Sequence, residues 1–169
     1  SEVDRLTEVT ETYLRFARLP NPKLQKENLT VLIESLLSFL KEELASKAIH
    51  LDVRIDSGLN AVRVDQNQIR QAILNLIRNA VEAMGRGGRL LVEATNADGQ
   101  VQVRIVDSGP GIGAEALSHI FDPFYSTKDT GTGLGLPLTQ QIIEEHGGTI
   151  SCDSTLGQGT TFTLRMPAA

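Results

Sequence analysis

The chain has 169 residues, 40% hydrophobic and 22% charged, with a net charge of −5; that is room for one domain, or one domain with a short appendage, around a real core. The acidic balance argues against a nucleic-acid partner, which needs clustered Lys and Arg. Its one cysteine, Cys152, excludes an internal disulfide and fits a reducing compartment, and no apolar run approaches the ~18 residues of a membrane span.

The opening Ser1-Glu-Val-Asp lacks the basic and apolar regions of a signal peptide. It reads as a cloning boundary or the interior of a longer protein, in a cytoplasmic setting. Residues 2–18 are expected to be a helix. Val3, Leu6, Val9, Tyr13, Leu14, Phe16 and Ala17 recur at spacings of three and four, a near-heptad seam. Such a seam either folds back on its own domain or pairs with another helix in a bundle. Pro20-Asn-Pro22 then breaks the chain. The organisation expected is therefore a helix over 1–19, a linker over 20–23 and a main domain over 24–169.

Residues 24–29 predict a short strand. Residues 30–47 predict an amphipathic helix with Thr30 as its cap and Leu32, Ile33, Leu36, Leu37, Leu40 and Leu44 on one stripe. Strict alternation over 49–55 predicts a strand, and 61–64 a shorter one. The helix over 66–85 is the best defined. Asp65 is its N-cap with Gln68 three residues on, the pattern of a capping box, and Ile69, Ala72, Ile73, Leu76, Ile77, Ala80 and Met84 keep helical spacing. Residues 89–96 and 101–106 form a hairpin across Asn96-Ala-Asp-Gly99. A helix over 134–146 tolerates Pro137 in its first turn and stops at Gly147-Gly148. Two strands, 149–153 and 160–166, close the chain. Paired strands with helices not strictly interleaved predict an α+β fold, a mixed sheet with helices on one face.

Chemistry concentrates in three places. Asn75 and Asn79, four apart, share one side of the best helix beside its apolar stripe. They are either surface amides bonded to water and backbone, or oxygen donors for Mg²⁺ near a phosphate. Asp107 ends an apolar strand and is either a turn residue or an acceptor-only group facing the exocyclic amine of adenine. Guanine would oppose it acceptor to acceptor, so ATP would be chosen over GTP. Two glycine clusters, Asp107-Ser-Gly-Pro-Gly-Ile-Gly113 and Gly131-Thr-Gly-Leu-Gly-Leu136, bracket Phe121, Phe124 and Lys128. Bare backbone ahead of a helix suits a phosphate. Neither cluster has Rossmann or P-loop spacing, and no eukaryotic-type kinase set is present.

Taken in order, Asn75-Leu-Ile-Arg-Asn79-Ala, Asp107-x-Gly-x-Gly, Phe121-Asp-Pro-Phe124 and Gly131-Thr-Gly-Leu-Gly-Leu resemble the N, G1, F and G2 boxes of bacterial sensor histidine kinases. Gly157-Gln-Gly-Thr160-Thr-Phe resembles the family's terminal glycine box, and residues 2–18 look like the second helix of its dimerisation domain. The flavour is nearest the nitrogen-regulatory branch. The resemblance, over about 24–167, implies the Bergerat ATP-binding fold of the GHKL superfamily: a two-layer sandwich with about five strands in a mixed sheet and three helices on one face. It implies Asn79 on Mg²⁺, Asn75 near the phosphates, Asp107 on adenine N6 and Thr160 beside it. Gly109 and Gly111 would lie along the adenosine, and Gly131, Gly133 and Gly135 along the phosphates. Ile112, Phe124, Thr132 and Leu134 complete the implied nucleotide site. Residues 114–132 would be an ATP lid that Phe121 and Phe124 anchor to the core. Lys128 either contacts the γ-phosphate, as the one catalytic candidate, or is a solvated loop lysine.

The implied function is ATP binding and transfer of the γ-phosphoryl group to a histidine outside this chain. His50, His119 and His146 lack the context of a phosphoacceptor, and His146 is placed to serve as a cation at a helix end. The implied partners are a phosphoacceptor domain of the same protein, a response-regulator receiver and a second copy of the full-length protein. Position 82 is Glu, where many members of the family carry a basic residue. Three alternatives remain at this point. A hydrolysing ATPase of the same fold needs a glutamate four residues before the metal-binding Asn, where this chain has Asn75, an amide that cannot take a proton. A regulatory ATP-binding module would lack an acceptor histidine altogether. A serine kinase of anti-sigma type would lack the N-terminal bundle helix.

Overall fold

The computed structural model describes residues 1–17, 19–126 and 133–169, with residues 12 and 15–17 described by backbone alone. Its elements follow in the order α1 (Glu2–Ala17), β1 (Gln25–Glu27), α2 (Leu29–Ser46), β2 (His50–Ile55), β3 (Val62–Val64), α3 (Gln66–Met84), β4 (Arg89–Ala97), β5 (Gln100–Asp107), α4 (Ala114–Leu117), α5 (Gly135–Glu145), β6 (Thr149–Thr155) and β7 (Gly159–Pro167). Five strands form a sheet in the order β2-β4-β5-β7-β6, and β1 pairs with β3 apart from it. β2 runs parallel to β4 while the other neighbours are antiparallel, so the sheet is mixed and the fold α+β, as expected.

The core lies between that sheet and the helices. Along β4 and β5, Leu90, Val92, Ala94, Val101, Val103 and Ile105 are buried, and the residues between them are only half-buried. One face of the sheet is therefore covered and the other meets water. α2 buries its leucine stripe, and α3 buries Ile69, Ala72, Ile73, Leu76, Ile77 and Ala80. Each fully buried Leu or Ile contributes about 1.5–3 kcal/mol, so packing more than intrinsic propensity holds α3 straight. α3 touches α2 on one side, α5 on the other and β5 beneath. The β4–β5 hairpin turns at Asp98 (φ 53°) and Gly99 (φ 76°), both left-handed, as an Asp-Gly two-residue turn requires.

Three local expectations are corrected. α2 is capped by Asn28, whose side chain accepts from Thr30 N at 2.8 Å; both residues are able caps, and the chain enters the helix two residues earlier than a Thr30 cap implies. Asp65 caps α3, accepting from Asn67 N and Gln68 N, but the capping box is not reciprocal. Gln68 Nε2 donates instead to Pro20 O (2.9 Å), and Asp65 N donates to His146 Nε2 (3.0 Å). That bond changes the reading of His146. A nitrogen accepting an N–H holds a lone pair, so the ring proton is on Nδ1, which donates to Ile142 O at 2.7 Å. His146 is 8% exposed and neutral, a bridge from the end of α5 to the start of α3 and not a cation on the helix dipole.

α1 rests against α5, and its Tyr13 ring stacks on Phe124 with centroids 6.1 Å apart. Val3, Leu6, Tyr13 and Leu14 of its seam nevertheless stay exposed. The residues after it are fastened to α3: Lys23 N donates to Asp65 Oδ2 at 3.0 Å, beside the Gln68–Pro20 bond.

Candidate functional site

α3 sets the floor of a cleft of about 530 Å³. Its apolar stripe fixes the helix rotation, and that rotation turns Asn75, Asn79 and Glu82 toward the opening, where all three line it. Asn75 is tied down: its Nδ2 donates to Gly135 O at 2.6 Å and to Thr139 Oγ1 at 2.8 Å. Asn79 makes no hydrogen bond to protein among the described residues, so its amide is available to a ligand. Among these residues no three His, Cys, Asp or Glu side chains gather in ligating range. Amide oxygens on a cleft wall suit a hard cation that arrives with its own phosphate and water ligands, which is how Mg²⁺ commonly binds.

The opposite wall is the end of β5. Asp107 is 5% exposed and stands in register with Thr160 of β7. Burial pushes its carboxyl above the ordinary value, opposed by the backbone N–H groups of Gly109 and Thr160. Gly109 N donates to Asp107 Oδ1 at 2.8 Å, which holds the carboxyl in place and leaves acceptor capacity toward the cleft. Thr160 is held in turn by Ser154: the two hydroxyls are 2.8 Å apart, and Ser154 Oγ also accepts from Ile112 N at 2.7 Å. Ser154 thus joins β6, β7 and the first glycine cluster behind the pocket wall.

The glycines are required by the site's own packing. Gly111 has φ +78°, and a Cβ there would collide with the Thr155 carbonyl. Gly133 has φ +73°, and its Cβ would collide with the Phe124 backbone, whose N–H donates to Gly133 O at 2.8 Å. α5 begins at Gly135 with no side-chain cap, in contrast to α2 and α3. Gly135, Leu136 and Pro137 of its first turn line the cleft, and the N–H groups of Gly135 and Leu136 have no partner within the helix, a setting that favours an anion.

Asn75, Asn79, Asp107, Gly111, Ile112, Gly133, Gly135 and Thr160 all line this one cleft. Gly109 stands just behind it, bonded to Asp107. Leu134 is fully buried under the start of α5. Phe121 packs against the core, but Phe124 is 61% exposed and meets Tyr13 instead, so the core anchor expected of the pair falls to Phe121 alone. Lys128, Gly131 and Thr132 lie outside the described residues. Two residues of the site have no motif to announce them: Thr139, 1% exposed, and Ser154. Both are small hydroxyls on otherwise ordinary elements, and only the tertiary contacts single them out. None of the three histidines lines the cleft.

Residues 64–169 match the model of the histidine kinase-, DNA gyrase B- and HSP90-like ATPases. The chain belongs to that family. Within the family it is a catalytic ATP-binding domain of the sensor histidine kinase kind. It is 41% identical over 167 residues to the sensor histidine kinase ZraS of Klebsiella oxytoca, across 98% of this chain and 36% of that protein. To sensor protein FixL of Bradyrhizobium diazoefficiens it is 36% identical over 146 residues, across 85% of this chain and 29% of that protein. It thus spans about a third of the length of the curated relatives it matches. Among solved structures, the nucleotide-free catalytic domain of histidine kinase ThkA superposes with a TM-score of 0.80 at 33% identity, covering 86% of this chain and 96% of that one. Full-length ShkA in complex with AMPPNP gives 0.88 at 29% identity, covering 98% and 36%. No helix among the described residues is long and apolar enough to cross a membrane.

Proposed function

We propose that the cleft binds Mg-ATP and that the chain delivers the γ-phosphoryl group to a histidine carried elsewhere in its parent protein. One observation carries this reading: two amides, a buried carboxyl and an uncapped helix start, far apart in sequence, converge on one cleft. Asp107 accepts from adenine N6, and Thr160 sits beside it. The N-terminal N–H groups of α5 and the backbone around Gly133 receive phosphate oxygens. Asn79, with Asn75 beside it, offers oxygen to the cation, and Lys128 reaches the γ-phosphate. Magnesium bound with the nucleotide neutralises phosphate charge, the main electrostatic demand of phosphoryl transfer; the rest is positioning by the protein. Asn75 stands where a hydrolysing relative needs a general base, and its amide has no proton affinity for that work. Spontaneous hydrolysis is accordingly slow.

The same reading divides the chain into the end of a dimerisation helix (1–19), a linker (20–23) and the ATP-binding unit (24–169). The exposed seam of α1 supports this, because it offers a second helix an apolar face that the domain itself leaves open. The parent protein is then a homodimer that holds this domain in the cytoplasm, and its phosphohistidine feeds a receiver domain; ThkA has been crystallised in complex with a response regulator. Two measurements test the reading. Calorimetry on Asn79→Ala should show Mg-ATP binding abolished, and near-normal affinity would remove Asn79 from the cation site. Mixed with ATP and the acceptor-histidine hairpin of its own parent protein, the chain should label the hairpin. Label on one of its own histidines would overturn the assignment of an external acceptor.

A further inference from the structure

We propose that Thr139 is a positioning residue: its hydroxyl fixes which end of the Asn75 amide faces the cleft, presenting Oδ1 to the phosphate-bound cation. The proposal rests on the nucleotide reading above and adds to it a residue outside both the asparagine and the glycine motifs.

The amide orientation follows from chemistry at one atom. Gly135 O is a carbonyl and can only accept. The Asn75 atom 2.6 Å from it is therefore the NH₂; with the amide reversed, two carbonyl oxygens would stand at that distance. Thr139 Oγ1 closes the triangle, 2.9 Å from Gly135 O and 2.8 Å from Asn75 Nδ2. Its proton goes to Gly135 O, so a hydroxyl lone pair faces the amide and meets the NH₂ end. Two acceptors on the α5 side thus hold Nδ2. Asn75 Oδ1 accepts from no protein donor among the described residues, while the residue lines the cleft.

The amide has little room to turn. A Cβ built on Gly135 would lie 3.0 Å from Asn75 Nδ2 and 3.1 Å from Oδ1, so the amide lies flat against bare α5 backbone. Thr139 is 1% exposed and does not itself line the cleft. Its effect on a ligand passes through the two cleft residues it bonds, Asn75 and Gly135, and only the Asn75 route is specific to the cation. A valine at 139 keeps the shape and leaves Gly135 O as the single restraint on the amide.

The test compares ATP affinity with and without Mg²⁺ in wild type, Thr139→Val and Thr139→Ser. The expected result is a Mg²⁺-dependent gain in affinity that falls roughly three- to tenfold in the valine variant, the scale of one lost hydrogen bond. Metal-free ATP affinity should be unchanged, and serine should restore the gain. A purely structural hydroxyl would lower both affinities together. A second readout needs no nucleotide: the Asn75 side-chain amide pair in ¹⁵N spectra, assigned by its loss in Asn75→Ala, should shift and exchange faster with water in Thr139→Val and be retained in Thr139→Ser. Thr139→Ala gives the same two readouts if the valine variant fails to fold. Wild-type values in the hydroxyl-free variants, in either the Mg²⁺ gain or the amide resonances, overturn the role of Thr139 and leave the nucleotide reading standing. A wild-type chain that binds no nucleotide removes that reading, and the proposal falls with it.

Discussion

Asp65 accepts three backbone hydrogen bonds away from the cleft, and replacing it with alanine has a calculable effect. Its Oδ1 accepts from Asn67 N and Gln68 N, and its Oδ2 from Lys23 N. Loss of an N-cap costs about 1 kcal/mol, and loss of one charge-assisted bond to backbone about 1.5–3 kcal/mol. Water replaces part of both, since these groups are near the surface, so the expected total is about 2 kcal/mol. For a chain of this size that is a fall in melting temperature of about 4–8 °C. Asp65→Asn separates the two parts. Asparagine caps as well as aspartate but has a single acceptor oxygen, so only the Lys23 bond is lost and at least half the effect should remain. The pH dependence has a definite sign. The N–H of Lys23, then those of Gln68 and Asn67, hold the Asp65 carboxyl below its ordinary value. Its contribution is present above the unfolded-state pKa and is lost as pH falls through the lower folded-state value. The gap between wild type and Asp65→Ala in thermal melts should therefore close in acid below the ordinary carboxylate range. ATP affinity should hold, because Asp65→Ala keeps the backbone bond from Asp65 N to His146 and Asn75 lies ten residues, about 15 Å, further along the helix. A melting temperature within 1 °C of wild type, or a gap that persists in acid, would refute the reasoning.

Asp107→Asn should move stability and binding in opposite directions. The Asp107 pKa is raised by burial, so the empty protein is most stable below the unfolded-state pKa and loses that stability as pH rises through the raised folded-state value. A neutral amide escapes that penalty, and the variant should melt higher at neutral pH while binding ATP more weakly; an analogue without the N6 amine should lose much less, and equal losses for the two ligands would count against the adenine contact. Gly111→Ala forces a side chain into the Thr155 carbonyl at a left-handed φ, so it should displace the β6–β7 turn and lower both stability and ATP affinity, read by melting and calorimetry together. Ser154→Ala leaves Ile112 N without its partner, a loss of about 1–3 kcal/mol, and should lower ATP affinity by loosening Thr160; unchanged affinity would free Thr160 from any dependence on Ser154.

What the sequence disclosed divides by range. Asp65 as a cap, the Asp98-Gly99 turn and the α3 stripe are local patterns, and each forms as its spacing implies. Asn28 and Thr30 are both cap formers two residues apart, and composition does not choose between them. His146 was legible as a helix-end residue, but its neutral state depends on Asp65 N, 81 positions away. Thr139 meets Asn75 across 64 positions and Ser154 meets Ile112 across 42, contacts that no local periodicity encodes. The glycines were read as room for a ligand; at Gly111 and Gly133 the room is used by the protein's own backbone. Phe124 stacks on Tyr13, on a helix whose docking no motif specifies.

α5 is clasped to α3 at both of its own ends, by Gly135 and Thr139 on Asn75 at the middle of α3 and by His146 on Asp65 N at the start of α3. Two rods pinned twice have no hinge between them. In hydrogen exchange they should open as a single cooperative unit, so a lesion at the His146 end, remote from any nucleotide, would be felt by the helix start that faces the phosphates.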